Sequence, residues 1–294
     1  MRPIRSLLIY FAVVFLGGAL LAPCLYWFAH WGSLQWSALS ALASKPFHRF
    51  LARALLGLGL IGLVPLLRSC GMWRCREVGL GKQGRPAVDL LRGFCLGFAS
   101  LACVALLALA AHGRALVHSQ SAAQIFRGLL IAALVAVIVA VIEEILFRGA
   151  LYGVLRKAMP WRGALVVSSA VYSAVHFIQS TDQAGTIRWY SGLTLLVAMF
   201  RHGPPFVPAF FTLFVAGACL ALAYQRTGAL YFSIGLHAGW IFWLKSYKLV
   251  TQPAAGANPV FWGSDKLIDG WAALAILVVV LSVLWFRFGR LKSV

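Results

Sequence analysis

The stretch Ala132-Ala-Leu-Val-Ala-Val-Ile-Val-Ala-Val-Ile-Glu143, continued by Glu144-Ile-Leu-Phe-Arg148, decides what kind of protein this is. From Ala132 to Ile142 no side chain is polar, and two carboxylates then follow within the same apolar run. The run extends from about Ile125 to Leu155, long enough as a helix to cross a hydrocarbon core of about 30 Å. One carboxylate at such depth costs about 2.5–3.5 kcal/mol, and two neighbours also repel each other, so the pair is kept for a task. Glu144 and Arg148 stand i, i+4 with the acid N-terminal, the favourable order for a helical ion pair. Glu143 points about 100° away around the helix and needs a partner elsewhere.

The rest of the chain fits a membrane setting. Of its 294 residues, 62% are hydrophobic and 11% charged. A water-soluble domain carries about 25% charged residues, so this chain cannot cover its surface with polar groups. Apolar segments recur at approximately 6–28, 51–67, 90–111, 125–155, 163–178, 189–224, 230–247 and 270–286. They predict an all-α fold, a polytopic transmembrane helical bundle of about eight spans. Arg201-His-Gly-Pro-Pro205 should break the sixth segment, which is too long for one crossing. The segments Gly79–Gly84 and Thr251–Asn258 read as linkers.

There are 26 Lys and Arg against 7 Asp and Glu, a formal net charge of +19. The basic residues gather between apolar runs: Arg68, Arg74, Arg76, Lys82 and Arg85 in one connection, Arg156, Lys157 and Arg162 in another. With Arg2 and Arg5 at one terminus and Arg287, Arg290 and Lys292 at the other, eight crossings place all four groups on one side. The positive-inside rule makes that side cytoplasmic, with both termini there, in a plasma membrane of the bacterial inner-membrane kind. Lipid headgroups account for the charge, and no aromatic-basic motif for nucleic acid accompanies it. The first apolar run continues to Trp27 and Phe28 and reads as a retained span, not a cleaved signal.

Two histidines lie within apolar runs: His176 closes Val166-Val-Ser-Ser-Ala-Val-Tyr-Ser-Ala-Val-His176, and His237 sits in Phe232-Ser-Ile-Gly-Leu-His237-Ala-Gly-Trp240. A turn near Pro160 makes the fourth and fifth spans a hairpin, with Glu143 seventeen residues before the proline and His176 sixteen after it. At about 1.5 Å per residue both reach the same depth, roughly 24 Å from the turn, which predicts a Glu143–His176 pair. His30, His48, His112, His118 and His202 fall at span ends or in loops. A carboxylate with imidazoles in a dry site can draw a proton from water and steady an oxyanion. The same three side chains, Glu143, His176 and His237, could instead hold zinc, and spacing does not separate the two options.

These residues resemble the CPBP family of intramembrane proteases, which includes the CAAX prenyl proteases. Glu143-Glu144-Ile-Leu-Phe-Arg148 matches its EExxxR motif, and Tyr172-Ser-Ala-Val-His176 its second motif, with Tyr where Phe is commoner. His237 matches the histidine of the third motif. The resemblance implies a catalytic core at 123–250, preceded by N-terminal helices and a basic loop over 1–122 and followed by a loop and last helix over 251–294. It implies a glutamic-type endopeptidase with no required cofactor, in which Glu143 and His176 activate water and His237 holds the oxyanion. Glu144, Arg148 and Tyr172 would support them. The family's usual asparagine four residues after the second histidine is Ile241 here, which donates no hydrogen bond; Ser233, Tyr172 or Ser169 could take its place. The partners expected are the lipid bilayer and a membrane-anchored or C-terminal peptide substrate. Two other readings are a non-catalytic immunity or scaffold protein and a transporter, the latter calling for polar residues strung across the whole membrane.

Overall fold

The computed structural model describes residues 2–81, 84–117, 120–177, 185–198 and 206–288. The chain divides into two compact units, one of residues 1–73 and 174–202, the other of 74–173 and 203–294. The fold is all-α; among the described residues two strands, β1 (Arg114–Leu116) and β2 (Thr251–Pro253), form one short antiparallel ladder.

In the first unit, α1 (Arg2–Ala12) runs through a π-turn at Val13–Gly17 into α2 (Gly18–Gln35). After the short α3 (Ser40–Ala43), α4 (Phe47–Ser69) returns antiparallel to that long helix. Small residues set the distance: Ala19 and Ala22 are fully buried, and a Cβ at Gly18 would strike Leu55 of α4. The Tyr10 hydroxyl donates to the Gly59 carbonyl at 2.9 Å. α9 (Ser191–Ala198) packs on α2 through Gly192, whose missing side chain leaves room for the Ala19 carbonyl. Trp27, Phe28, Trp31 and Trp36 stay exposed at the end of the α1–α2 helix, as aromatic residues at a membrane interface do.

The second unit holds α5 (Pro86–Ala110), α6 (Ala122–Glu144), a π-helical stretch at Ile145–Tyr152, and α7 (Gly153–Arg156). It continues with α8 (Trp161–His176), whose last turn from Ala174 belongs to the first unit, and α10 (Phe206–Thr227). α11 (Tyr231–Ser246), α12 (Pro259–Trp262) and α13 (Trp271–Phe288) complete it. α11 is its centre. Gly93 and Gly97 of α5 face Gly235 and Gly239 of the parallel α11, and a Cβ at any of the four would overlap backbone atoms of the other helix. This is small-xxx-small packing on both partners, which lets two backbones touch. Ser100 at the buried end of that seam accepts the Trp240 indole N–H at 2.9 Å. On its other side α11 meets α6 antiparallel, over Ala136, Ala140, Leu230, Ile234 and Ala238.

The faces of α6 are inverted relative to a helix in water. Ala132, Ala136, Ala140 and Glu144 are buried at four-residue spacing, whereas Leu130, Ile131, Leu134, Val137 and Ile138 are exposed. Large apolar side chains turned outward and small ones turned inward are the pattern of a lipid-facing helix. Among the described residues, 3–35, 47–69, 86–110, 122–156 and 207–227 are long and apolar enough to cross a bilayer. α13 is apolar but shorter, and α8 and α11 have 16 residues each.

The sixth expected segment falls into two helices, α9 and α10; the proline break at 201–205, with His202, lies outside the described residues. His118, Lys82, Arg290 and Lys292 lie outside them as well. Neither expected linker is a free tether where described. The Gly79 carbonyl accepts from Leu230 N–H at 2.9 Å and the Leu80 carbonyl from the Tyr231 hydroxyl at 3.2 Å, tying that connection to the start of α11. Thr251–Pro253 pairs as β2, and buried Arg114 donates to Thr251 Oγ1 at 3.2 Å and stacks on Tyr247.

Candidate active site

The site grows from the C-terminal end of α6. Glu144 continues the alanine stripe that α6 lays on α11, so its carboxylate is carried into the interface and is 0% exposed. Glu143 is rotated out of the stripe and its side chain remains 24% exposed. Beyond Glu144 the helix widens into the π stretch, and Arg148 to Tyr152 are all buried. Such insertions of π geometry gather at functional sites because they re-aim side chains without breaking the helix.

Glu144 is the hub. Arg148 Nη1 donates to its Oε1 at 2.9 Å, as the i, i+4 spacing predicts. The same oxygen lies 2.9 Å from His237 Nδ1. The guanidinium reaches on to the Gly217 carbonyl of α10 at 3.3 Å and lies over the Tyr172 ring at 4.4 Å. Gly217 also lets α10 come close to α8, since a Cβ there would press on Ser169. The buried guanidinium is thus met by a carboxylate, a carbonyl and an aromatic face, the partners a desolvated cation requires.

His237 joins three helices. With Nδ1 held by a carboxylate that can only accept, the ring's Nδ1–H points at Glu144 and Nε2 looks the other way. Nε2 is 3.3 Å from the Tyr172 hydroxyl and 3.8 Å from Glu143 Oε2. Tyr172 is fixed by Phe147, edge-on at 5.0 Å between centroids, and by Arg148 on its face. The pairing differs from the sequence expectation at one point. Glu144 is not a partner of Arg148 alone; it also orients His237, which stands beside both glutamates.

His176 is the last residue of α8, half-buried and one turn beyond Tyr172. It falls in the unit of 1–73 and 174–202. Ile241 packs into the apolar seam with α6, where its side chain fills space and offers no donor. Of the three suggested substitutes, Ser233 already donates to the Leu220 carbonyl at 3.0 Å. Ser169 packs on Gly217 with its buried hydroxyl unbonded, and the Tyr172 hydroxyl lies 3.3 Å from His237 Nε2. Among the described residues, no group of three or more His, Cys, Asp and Glu is arranged to hold a metal ion.

What the residue-by-residue reading missed is the frame. Gly93, Gly97, Gly235 and Gly239 set His237 at its depth, and Gly217 anchors Arg148. The spacing Gly-x-x-x-Gly on two segments was the available signal for the first four; nothing local marks Gly217.

The cluster can orient an imidazole, keep one carboxylate at a partly open edge and exclude bulk water from the remainder. No curated protein and no solved structure matches the chain. A family model does match, over the α6–α11 segment that contains the cluster. Residues 124–243 match the model of the type II CAAX prenyl endopeptidase Rce1-like family, a protease family, in a chain whose long apolar helices are those of an integral membrane protein.

Proposed function

We propose that the protein is an intramembrane endopeptidase that hydrolyses a peptide bond in the C-terminal or membrane-anchored segment of a protein substrate. One observation carries the reading: an ionisable cluster of Glu143, Glu144, Arg148, Tyr172 and His237 is assembled inside the matched segment on helices whose other faces are apolar. A desolvated set of this kind is expensive unless it acts on something.

In this reading Glu143 is the base. It is the most open of the five side chains, so a water held on it can meet a substrate carbonyl. The family resemblance assigns His176, the last residue of α8, a share in activating that water. Glu144 and Arg148 hold His237 in place, and His237 faces the oxygen that gains charge. The water's proton passes to Glu143 and then to the departing amine nitrogen as the C–N bond breaks. No metal takes part in this scheme, and activity should survive dialysis against EDTA and 1,10-phenanthroline. Loss on chelation with recovery on added zinc would replace it with a zinc site on Glu143, His176 and His237.

The test uses the full chain in nanodiscs with two peptides, one ending in a farnesylated CAAX tetrapeptide and one a non-prenylated membrane anchor with a C-terminal tail. Glu143→Gln should lower turnover by about 100- to 10,000-fold, as loss of a general base does, while melting temperature is kept. Equal turnover by wild type and Glu143→Gln ends the protease reading. A scaffold role is then favoured by the apolar packing of Ile241 where a donor would serve catalysis.

A further inference from the structure

We propose that Val78, Gly79 and Leu80 form a clamp that sets His237 in register with Glu144, holding the π stretch and the start of α11 together from outside the cluster; this rests on the endopeptidase reading above. The need for such a part follows from the packing. α6 meets α11 over Ala136, Ala140, Ile234 and Ala238, and apolar contact is non-directional, so it fixes the separation of the helices better than their axial position. The bond between His237 Nδ1 and Glu144 Oε1, at 2.9 Å, is directional, and a slide of about 1 Å along the seam would take it out of hydrogen-bond range.

This strap is attached to both helices through three successive residues. The Val78 carbonyl lies on Gly149, the residue after Arg148, 3.0 Å from where a Cβ would stand. The Gly79 carbonyl accepts the Leu230 N–H at 2.9 Å, and the Leu80 carbonyl accepts the Tyr231 hydroxyl at 3.2 Å. The Leu80 side chain packs against the α6–α11 seam itself. Gly149 is five residues past Glu144 and His237 seven past Leu230, so the strap grips both segments within about 10 Å of the bond they form. It is also stiff. Its Leu80 N–H donates to the Cys75 carbonyl at 2.9 Å, its Gly79 N–H to the Arg76 carbonyl at 3.2 Å, and Glu77 accepts the Arg74 N–H at 2.7 Å. Gly79 stands in the left-handed region at φ 82°, where a Cβ would lie 2.5 Å from the Tyr224 ring and 3.1 Å from Leu230. Arg74 to Glu77 are exposed, whereas Val78 and Gly79 are buried. A connection that served only as a tether would need no carbonyl aimed at either helix.

The test loosens the clamp and then locks it, in the full chain in nanodiscs with the two peptides above. Gly79→Ala strains a positive φ and clashes with Tyr224, and should lower kcat about 10- to 100-fold with KM little changed, as for a catalytic group displaced by up to about 1 Å. The lock is Val78→Cys with Gly149→Cys, made with Cys70→Ser and Cys75→Ser. A Cβ at Gly149 lies 3.4 Å from that of Val78, close to the separation of about 3.5–4.5 Å in a disulfide. Oxidised, the locked chain should turn over at least as fast as when reduced, and the same lock added to Gly79→Ala should restore kcat, reversibly on reduction. A kcat per folded molecule within about threefold of wild type for Gly79→Ala, or no restoration by the lock, overturns the clamp. So does an oxidised lock that is inactive while its reduced form works, since the strap must then leave for turnover. Should Gly79→Ala not fold, the oxidised and reduced forms of the locked chain decide alone. Glu143→Gln in the same assay separates the two levels. If it is inert while Gly79→Ala is fully active, the protease reading stands and this one fails. If wild type matches Glu143→Gln on both peptides, both fail.

Discussion

At the residue scale, adjacent glutamates have opposite duties because the helix turns by about 100° between them. Glu144 is on the seam with α11, and its carboxylate is the only anion bonded to Arg148 among the described residues. Glu144→Ala would leave a guanidinium at 2% exposure without its charge partner and also release His237. Breaking such a buried pair costs about 3–5 kcal/mol. Thermal unfolding in detergent should therefore show a marked fall for Glu144→Ala and almost none for Glu143→Gln. Arg148→Lys should also destabilise, since one ammonium cannot span the Glu144 carboxylate and the Gly217 carbonyl as a planar fork does.

At the scale of elements, the α5–α11 pair depends on four absent side chains. Gly239→Val would drive a branched side chain into the Phe94 carbonyl of α5 and move His237, two residues away on the same helix. Overpacking of this sort costs about 1–3 kcal/mol or more. The variant should lose stability and, with it, any turnover that needs His237 in register with Glu144. Gly57 is the control. A Cβ there meets nothing within 4 Å, and its α4 backbone is ordinary helix, so Gly57→Ala should raise stability by about 0.5–1 kcal/mol. Equal effects at the two positions, read by urea or thermal unfolding of the purified chain, would remove close approach as the reason for the glycines.

At the scale of the whole molecule, the balance of charge predicts orientation. The connection from Arg68 to Arg92 is rich in arginine, with Trp73 exposed under Arg68 at 4.1 Å and Cys75 exposed beside Arg74 and Arg76. If the positive-inside rule holds, this connection and both termini face the cytoplasm. A membrane-impermeant maleimide should then label Cys75 in inside-out vesicles and not in intact cells, a variant with Cys75→Ser giving the background. The reverse pattern would invert the topology, and with it the side from which a C-terminal substrate segment must arrive.

Much of this was legible in the sequence, for identifiable reasons. A chain with 62% hydrophobic residues and runs such as Ala132–Ile142 can only fold as lipid-facing helices, because backbone groups in hydrocarbon must be satisfied within each segment. Spacing alone gave the Glu144–Arg148 pair, since it lies within one helix. The order of Glu143-Glu144, Tyr172, His176 and His237 was enough for the family resemblance that the match over 124–243 supports. The tertiary structure decided what no local pattern encodes. It brought His237, 93 residues away in sequence, onto Glu144, tied Arg148 to Gly217, and placed the Tyr172 hydroxyl on His237 while Ile241 went into the apolar seam. Those contacts depend on helix rotation and on the glycine-set distance between α5 and α11, quantities fixed only when the helices pack.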